Sequence, residues 1–396
     1  MAVVTIGRQA AATTMSCLVC GTGSLVEQGG FTALPRITSD CRPFASGGKL
    51  AVCSTCGAVQ KFPDTQWLEE IARIYAEYAA YYQAGGDEQV ILDSRTGTVR
   101  RRSDVIVEQL KVSYPLPEQG RALDIGCGSG VTLQALSSVL PGWGFFGQDL
   151  DERNAERLRA IDGFERLFVC PPAGIAGQFD LITLIHSLEH FPDPGALLRT
   201  LAGKLTAGGL LLVQVCNTER NPYDLLIADH LTHFAPETLG LIASRNGFSV
   251  LRVETEWVAK ELSMVARRID AAVPAPQPNP AYAAQVGPRV RSQLAWLQAM
   301  AEDASERAAG GRFGIFGTSI CATWLAGYLN EEVAFFVDED PSRQGRQFMG
   351  RPVLAPQGVP AGSAVYLALT PEVAAKVARR LAALPVALVP PPPLSP

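Results

Sequence analysis

Short apolar runs alternate with amphipathic stretches across residues 100–258, and this pattern predicts a parallel sheet wound with helices. The predicted strands cover residues 122–125, 144–147, 181–185 and 210–215. A similar alternation over residues 312–390 predicts a second α/β unit. There the runs FGIFG, VAFFVDED and AVYLAL are predicted strands, and TSICATWLAGYL and PEVAAKVARRLAAL are predicted helices.

The rest of the chain divides at changes of pattern. Residues 15–60 are rich in turn formers, whereas residues 61–85 have a helical pattern. A proline-rich break at 273–281 precedes a predicted helix at 288–309, and the tail from 389 is expected to be irregular. The expected divisions are an N-terminal module with its helix (15–85), a central domain (86–260), a helical linker (261–310) and a C-terminal domain (311–396).

Composition narrows the function only slightly. Hydrophobic residues make up 47% of the chain and charged residues 18%, which is typical of a soluble globular protein. The net charge of −5 gives no general attraction to nucleic acid or to anionic membranes. The N-terminal residues lack the pattern of a secretory signal, and no run approaches the roughly 18 apolar residues of a membrane span. Nine cysteines, four of them in CxxC pairs, favour a cytoplasmic protein with reduced thiols.

The strongest chemical signal is the segment LDIGCGSG at 123–130, where an apolar strand runs into three alternating glycines and then a helical stretch. Glycine lets the backbone turn sharply and approach a ligand closely, and the N-terminus of the next helix offers unpaired N–H groups to an anion. Asp149 closes the next apolar run, 19 residues after Gly130. An acid at that position can accept hydrogen bonds from ribose hydroxyls. Val131 replaces the third glycine of the dinucleotide fingerprint, so the loop does not match that motif.

The loop and the acid together resemble the class I methyltransferases that use S-adenosylmethionine (SAM). Residues 179–194 are similar to the fourth strand and following turn of these enzymes, and residues 205–213 to the turn into their fifth strand. The resemblance implies that the methionine carboxylate of SAM lies at the loop and its ribose at Asp149. The cofactor-binding residues that it implies are Asp124, Gly126, Cys127, Gly128, Gly130, Asp149, Leu150, Ile185 and His186. A tight turn without a ligand is the alternative.

One part of the SAM site departs from the usual pattern. Many class I methyltransferases have an acid after the third strand that meets the adenine amino group. Here residues 169–172 read VCPP, so adenine would be held by backbone groups and its contacts stay unassigned.

Four cysteines near the start form two knuckles, CLVCG and CSTCG. Each CxxC-Gly turn points two thiolates at one ion, and together they supply the closed tetrahedral shell of structural zinc. We therefore predict Cys17, Cys20, Cys53 and Cys56 as zinc ligands that hold the fold and take no part in catalysis. Cys41, between the knuckles, is treated as a spare thiol. Four free thiols and an iron–sulfur site are the alternatives.

The order of these parts resembles, over nearly the whole chain, the sugar C-methyltransferases that act on nucleotide-linked sugars. The expected fold class is therefore α/β: a class I methyltransferase Rossmann-like sheet with an N-terminal four-cysteine zinc module and a smaller C-terminal Rossmann-like domain. The segments GIFGTS (314–319) and FVDEDPSRQGR (336–346) are similar to that domain. In the family it helps to bind the nucleotide, which implies a diphosphate contact for Arg343 or Arg346. A purely architectural domain is the alternative.

The same resemblance supplies the expected catalytic residues. The family has an acid–histidine pair after the sheet, and Asp229 and His230 fall on it when the segment RNGF (245–248) is the anchor. His230 is expected to be the base that removes a proton next to a carbonyl, with the adjacent carboxylate favouring the imidazolium. Tyr82 or Tyr78 of the N-terminal helix is expected to supply a phenol, unless both only pack.

His190 and His233 are expected to be structural. A further departure weakens the resemblance, because the family's tyrosine before the acid–histidine pair is Ile227 here, with Tyr223 four residues earlier. Two other functions stay open: methylation of an oxygen or nitrogen of a small molecule, and a zinc- and SAM-binding scaffold without catalysis. A zinc-ribbon nucleic-acid binder is disfavoured by the acidic charge. The expected partner is a small-molecule substrate.

Overall fold

The computed structural model describes residues 15–78, 88, 90–93, 98–269 and 276–394. The strands, in chain order, are β1 (Leu25–Glu27), β2 (Arg36–Ile37), β3 (Pro43–Phe44), β4 (Leu50–Cys53), β5 (Val59–Lys61), β6 (Val90–Asp93), β7 (Thr98–Arg101), β8 (Gly120–Ile125), β9 (Trp143–Gln148), β10 (Phe164–Phe168), β11 (Phe179–Ile185), β12 (Leu205–Cys216), β13 (Thr232–His233), β14 (Phe248–Glu254), β15 (Glu261–Arg268), β16 (Phe313–Phe316), β17 (Phe335–Val337), β18 (Gln347–Phe348), β19 (Arg351–Leu354), β20 (Ala364–Tyr366) and β21 (Ala387–Val389). The α-helices are α1 (Thr65–Ala76), α2 (Arg102–Ser113), α3 (Val131–Val139), α4 (Ala155–Arg159), α5 (Pro194–Ala202), α6 (Pro236–Arg245), α7 (Pro280–Ala308), α8 (Ile320–Leu329) and α9 (Pro371–Arg380). Within these ranges, none of the helices is both long and apolar enough to cross a membrane.

Seven strands form the central sheet, in the order β10-β9-β8-β11-β12-β15-β14. The strands from β10 to β12 are parallel, and β15 runs antiparallel to both of its neighbours. The four strands predicted from apolar runs lie within β8, β9, β11 and β12, so the wound parallel sheet is confirmed. The strand order reverses between β8 and β11, and open α/β sheets bind ligands beyond the carboxyl ends of the strands at such a point.

The central sheet extends past the boundary that we expected at residue 260. β15 pairs with β12 along its length, with Val213 opposite Met264, and both residues are fully buried. A boundary at that position would cut through the sheet. The central domain therefore continues to Arg268.

Helix α7 begins eight residues before its predicted start at Pro288. Asn279 caps the helix, because its Oδ1 accepts hydrogen bonds from the backbone N–H groups of Ala281 (3.1 Å) and Tyr282 (3.3 Å). Pro280 occupies the first turn, where its missing N–H costs nothing. Pro288 thus lies inside the helix. Many side chains of α7 are buried, so the expected linker is also a core element.

The N-terminal module is a small sheet that is completed by a strand from the central domain. Its order is β1-β4-β5-β13, and β13 follows the central strand β12 along the chain. Val59 of β5 lies opposite His233 of β13. The backbone N–H of Lys61 donates to the carbonyl of Leu231 at 2.7 Å. The module and the histidine-bearing segment of the central domain are therefore one continuous structure.

Helix α1 is fixed to this module by a buried ion pair. Two nitrogens of Arg36 donate to the carboxylate of Glu70 at 2.7 and 2.9 Å, and both residues are buried. The helix, predicted within residues 61–85, begins after Asp64, whose Oδ1 accepts from the backbone N–H of Trp67 at 2.9 Å. A two-pronged arginine contact of this kind sets the direction of the helix as well as its position.

The predicted second α/β unit is present at the C-terminus. Its sheet has the order β18-β19-β17-β16-β20-β21 and is parallel except at β18. The edge strand β21 includes Val389, so the irregular tail begins one residue later than expected. The indole N–H of Trp324 donates to the carbonyl of Pro35 at 2.9 Å, and the hydroxyl of Tyr223 lies 3.1 Å from the sulfur of Met300. The module, α7 and the C-terminal unit thus share one hydrophobic core.

Candidate active site

The glycine-rich segment connects β8 to α3 at the carboxyl end of β8, where the strand order reverses. Gly126, Gly128 and Gly130 have φ angles of 71°, 50° and 81°, in the left-handed region that favours glycine. The backbone N–H groups of Gly126 and Cys127 both donate to the carbonyl of Gln148 at 2.9 Å. A Cβ on Gly128 would meet no protein atom within 4 Å, so the loop borders open space at that residue.

Asp149 lies across the loop, directly after β9. Its Oδ2 accepts a hydrogen bond from the backbone N–H of Gly128 (2.7 Å) and its Oδ1 from that of Leu150 (2.6 Å). Burial raises the pKa of Asp149, and the two backbone hydrogen bonds act against that shift. Leu150 is 60% exposed beside it. The carboxylate is held in place with lone pairs left for a ligand, next to an apolar surface.

Three of the expected cofactor residues lie at or below this loop. Asp124 is buried, and its Oδ1 accepts from the hydroxyl of Thr183 at 2.6 Å. Burial raises the pKa of Asp124 to about 7. Cys127 is buried and Ile185 is half-buried at the end of β11. Asp124 therefore supports the loop from beneath.

His186 follows β11 with a φ of 50°, an uncommon conformation for a residue other than glycine. Its Nδ1 lies 3.3 Å from Oε1 of Glu189, and its Nε2 lies 3.1 Å from Oε2 of Glu261. Burial alone would lower the pKa of His186, but the carboxylates, Glu261 above all, raise it to about 9. Sequence reasoning identified His186 but neither carboxylate. Glu261 comes from β15, 75 residues away, and no local spacing reveals that contact.

The centre of the site is the buried carboxylate of Asp224. Nδ1 of His230 lies 2.7 Å from its Oδ1, and Nδ1 of His233 lies 2.9 Å from its Oδ2. The hydroxyl of Thr218 donates to Oδ2 at 2.9 Å. Burial opposes ionisation, but the two histidines outweigh it and hold the pKa of Asp224 well below its usual range. The carboxylate is therefore ionised and accepts from both imidazoles.

The expected pairing of His230 with Asp229 needs correction. Asp229 is the next residue along the chain, but its carboxylate accepts from the backbone N–H of Ser39 at 2.8 Å and from the hydroxyl of Ser39. The second oxygen lies 3.4 Å from Nδ1 of His190. The loop turns the two adjacent side chains in different directions, and Asp224, six residues earlier, is the partner of His230.

The hydrogen bonds distinguish the two histidines on Asp224. Because each Nδ1 must donate to the carboxylate, the lone pair of each neutral ring lies on Nε2. Nζ of Lys61 lies 3.3 Å from Nε2 of His233 and donates to the carbonyls of Ile227 and His230. His233 is thus engaged at both ring nitrogens, which suits the structural role expected for it. Among the described residues, none forms a hydrogen bond with Nε2 of His230, which is left as a proton acceptor.

His190, which is expected to be structural, also belongs to this cluster. Its Nδ1 lies 3.0 Å from the carbonyl oxygen of Asp229. Its ring packs edge-to-face against that of His230, with centroids 4.7 Å apart. Burial, and then the neighbouring His230, lower the pKa of His190. The ring of Tyr75 lies on its other side at 6.2 Å.

Of the tyrosines in the predicted N-terminal helix, the structure describes Tyr75 and Tyr78. Tyr82, expected to be catalytic, lies outside the described residues. The hydroxyl oxygens of Tyr78 and Ser39 lie 3.3 Å apart, and the backbone carbonyl of Tyr78 accepts from Arg153, close to Asp149. Tyr75 was not selected from the sequence, although it lies one helical turn before Tyr78 and is the tyrosine that packs against His190.

The four predicted metal ligands converge. One sulfur atom from each of Cys17, Cys20, Cys53 and Cys56 lies within 4.8 Å of the others, and the Cys17–Cys56 and Cys20–Cys53 pairs are each 3.6 Å apart. A tetrahedral ion with bonds of about 2.3 Å separates its sulfur ligands by about 3.8 Å. The donor set therefore fits a tetrathiolate ion. Cys41, which is also buried, lies outside this set.

The expected diphosphate contact of Arg343 is not available. This side chain is buried, and its Nη1 donates to the hydroxyl of Thr318 at 2.7 Å. Nη1 also lies 3.4 Å from the carboxylate of Asp338, and Nε lies 3.4 Å from that of Asp340. Arg343 thus stabilises the glycine turn from within, whereas Arg346 is exposed.

Comparisons with known proteins agree with the geometry of the glycine-rich segment. Residues 99–253 match the model of a methyltransferase domain family. The chain is 33% identical over 116 residues to the ubiquinone biosynthesis O-methyltransferase of Bordetella avium, covering 27% of this chain and 46% of that protein. It is also 33% identical over 116 residues to the malonyl-[acyl-carrier protein] O-methyltransferase of Magnetococcus marinus, covering 28% and 42%. The chain spans about half the length of the curated relatives that it matches.

Solved structures are similar over the same part of the chain. The mitomycin 7-O-methyltransferase MmcR has a TM-score of 0.37 and 20% identity, covering 42% of this chain and 54% of that one. The glycopeptide N-methyltransferase MtfA has a TM-score of 0.35 and 14% identity, covering 42% and 94%. At these TM-scores the structures decide nothing about activity. The family match supports a methyltransferase domain at residues 99–253, where the sequence predicted one.

Replacing Asp149 by Asn should weaken SAM binding by about 10- to 100-fold. The amide keeps the shape of the side chain but loses the charge and one acceptor, and a hydrogen bond to a charged group contributes about 1.5–3 kcal/mol. Calorimetric titration with SAM measures the change. The exposed Asp162→Asn is the matched control and should bind like the wild type. Equal affinity in both variants would contradict the ribose contact.

The stability of the fold should depend on His233 at acid pH. Burial, and next the charge of Lys61, lower the pKa of His233 from 6.5 to about 4. Between these values the unfolded chain binds a proton that the folded chain does not, so the free energy of unfolding falls as the pH falls. Urea midpoints at several pH values should decline less steeply in His233→Asn than in the wild type. Because the two proteins share their other titrating groups, equally steep declines of the urea midpoint would contradict the lowered pKa of His233.

Proposed function

We propose that this protein transfers the methyl group of SAM to the carbon of a nucleotide-linked keto-sugar, with His230 as the base. The observation that carries the proposal is the buried Asp224–His230 pair, in the segment between β12 and β13. SAM supplies a methyl group on a sulfonium sulfur when it is bound. The loop at 126–130 and Asp149 would hold it, and the histidine cluster lies beyond the next strand of the sheet.

The base assignment follows from hydrogen-bond directions. Nδ1 of His230 donates a hydrogen bond to Asp224, which fixes the ring and leaves the Nε2 lone pair to accept a proton. An ionised carboxylate behind the ring also stabilises the imidazolium that forms. Nε2 of His230 would accept the proton from the carbon next to the acceptor carbonyl, and bound SAM would supply the methyl group to that carbon. The products are the C-methylated sugar and S-adenosylhomocysteine.

The surroundings of the pair suit a reaction that excludes water. His230 is 3% exposed, His190 packs on its face, and Asp229 fixes His190. His186 lies between the carboxylates of Glu189 and Glu261, and Glu261 also pairs with Arg102 at 3.3 Å, so these cations neutralise the buried carboxylates beside the cluster. The keto-sugar itself is supported by the resemblance in the order of the three parts. Arg346 remains the exposed candidate for a diphosphate contact, since Arg343 is engaged inside its domain.

Methylation of an oxygen is the second candidate, and the relatives favour it. The ubiquinone biosynthesis enzymes that match are O-methyltransferases by name. The same His230–Asp224 pair would remove a proton from an acidic hydroxyl, so the site serves either acceptor.

We also propose that the four-cysteine cluster holds a structural zinc ion. Four thiolates leave no open position for catalysis. The ion would tie β4, which ends at Cys53, to the first knuckle, and β5 follows the second knuckle and pairs with β13. The zinc would therefore act on the histidine cluster only by positioning the strand that carries His233.

The base is tested by deuterium exchange. A panel of nucleotide-linked keto-sugars is incubated in D₂O with the enzyme and S-adenosylhomocysteine, and mass spectrometry detects deuterium at the carbon next to the carbonyl. His230→Gln and Asp224→Asn should reduce exchange by about 100-fold or more, the usual contribution of a positioned base. The exposed Glu237→Gln should exchange like the wild type.

Unchanged exchange in His230→Gln would remove this residue from the reaction. No exchange on any keto-sugar in the wild type, together with a methyl ether product from a hydroxylated acceptor, would select the second candidate.

The zinc assignment is tested by counting metal. Cys53→Ser should lower the zinc content from about one ion per chain to well below it and lower the unfolding temperature, because binding a structural ion contributes to folding. Inductively coupled plasma mass spectrometry measures the content. Cys41→Ser removes a buried thiol outside the cluster and should retain the ion. Loss of zinc in Cys41→Ser, or its retention in Cys53→Ser, would contradict the ligand set.

A further inference from the structure

A second group of metal-ligating side chains lies in the histidine cluster, separate from the cysteines. Glu189, His190 and His230 each place one ligand atom within 4.8 Å of the other two. Glu189 and His190 come from one 3-10 turn after β11, and His230 comes from the loop before β13. We propose that these three residues bind a divalent transition-metal ion through two imidazoles and one carboxylate. Such a set leaves coordination positions open and suits ions such as Co²⁺, Fe²⁺ or Zn²⁺.

The neighbours of the two imidazoles support this assignment. Nδ1 of His230 donates to Asp224 at 2.7 Å, and Nδ1 of His190 donates to the carbonyl of Asp229 at 3.0 Å. Both rings therefore carry a lone pair on Nε2. Histidines that bind metals almost always donate their other ring N–H to a carboxylate or a carbonyl, which orients the ring and strengthens the ligand. The two histidines here are already held in that way.

The carboxylate gives an independent indication. Glu189 is 2% exposed, and neither of its oxygens accepts a hydrogen bond within the described part of the chain. Its nearest cation is His186, whose Nδ1 lies 3.3 Å from Oε1. Only Oε1 lies close to that cation, and Oε2 has no partner among the described residues, so an oxygen of this buried carboxylate remains for a bound ion.

An alternative set shares His230 but is less suited to a metal. Cys216, Asp224 and His230 also place one ligand atom each within 4.8 Å of one another. The carboxylate of Asp224 already accepts from His230, His233 and Thr218. An ion bound there would have to displace these hydrogen bonds, whereas Oε2 of Glu189 has no partner within the described ranges.

Metal binding and proton transfer compete at His230. An ion on Nε2 occupies the lone pair that a base needs, so the loaded site would inhibit the reaction proposed above. The metal site rests on the donor geometry alone and does not depend on which acceptor is methylated.

Cobalt tests the site without any substrate. The purified protein, with its cysteine site filled, is titrated with Co²⁺, and metal content and visible absorption are recorded. The wild type should take up one ion more than the cysteine site holds. The new bands should be weak d–d transitions without thiolate charge transfer, because the donors are nitrogen and oxygen.

Glu189→Gln should weaken uptake of this second ion by more than about 100-fold. Even the loss of a residue that only orients a metal ligand lowers metal affinity by about 10- to 100-fold. His190→Gln is a second variant with the same expected result. Glu237→Gln, an exposed carboxylate, and Cys216→Ser should bind the second ion like the wild type. SAM titration checks that each variant is folded.

Undiminished uptake in both Glu189→Gln and His190→Gln would overturn the proposal, as would no second ion in the wild type. Loss of the ion in Cys216→Ser, with thiolate charge transfer in the wild type, would overturn it in favour of the alternative set. None of these results depends on the deuterium exchange that tests the base, so the two proposals fail separately.

Discussion

The site depends on the buried carboxylate of Asp224, which holds two imidazoles by hydrogen bonds. Asp224 would be costly to bury alone, and His230, His233 and Thr218 together supply the hydrogen bonds that keep it ionised. In return, the carboxylate fixes both rings and determines which nitrogen of each carries a proton. One histidine is then engaged at both nitrogens, because Lys61 faces it, and the other keeps a lone pair on the side of His190. The contact with Lys61 thus distinguishes His233 from His230, the residue that we propose as the base.

These hydrogen bonds can form only where three parts of the chain meet. β13 carries His233 and pairs with β5 of the cysteine module, which also supplies Lys61. The backbone carbonyl of Glu189 accepts a hydrogen bond from the backbone N–H of Leu231 at 2.7 Å. This bond ties the loop to the turn after β11. Helix α7 reaches the same region, since Gln293 donates to the carbonyl of Thr218 at 2.7 Å. The cysteine module therefore forms one side of the site, although the ion that we propose for it would take no part in the reaction.

The sequence predicted the elements whose signals are local. The central strands, the glycine loop with Asp149 and the four cysteines were each recognisable because neighbouring residues set their chemistry or their period. The failures involve contacts between distant residues. The resemblance to an acid–histidine pair predicted Asp229 as the carboxylate beside His230, whereas the folded loop brings Asp224 to that ring. The contact between His186 and Glu261 and the internal role of Arg343 likewise depend on packing that no spacing encodes.

The chain contains four histidines, and the described structure places all of them in or beside this cluster. Nitrogen-15 NMR of protein labelled only at histidine, with resonances assigned through single His→Gln variants, therefore reads the site directly. The account predicts that His230 carries its proton on Nδ1, with Nε2 unprotonated, and that this pattern is lost in Asp224→Asn. A His230 with its proton on Nε2 and a bare Nδ1, or one indifferent to Asp224→Asn, would contradict it.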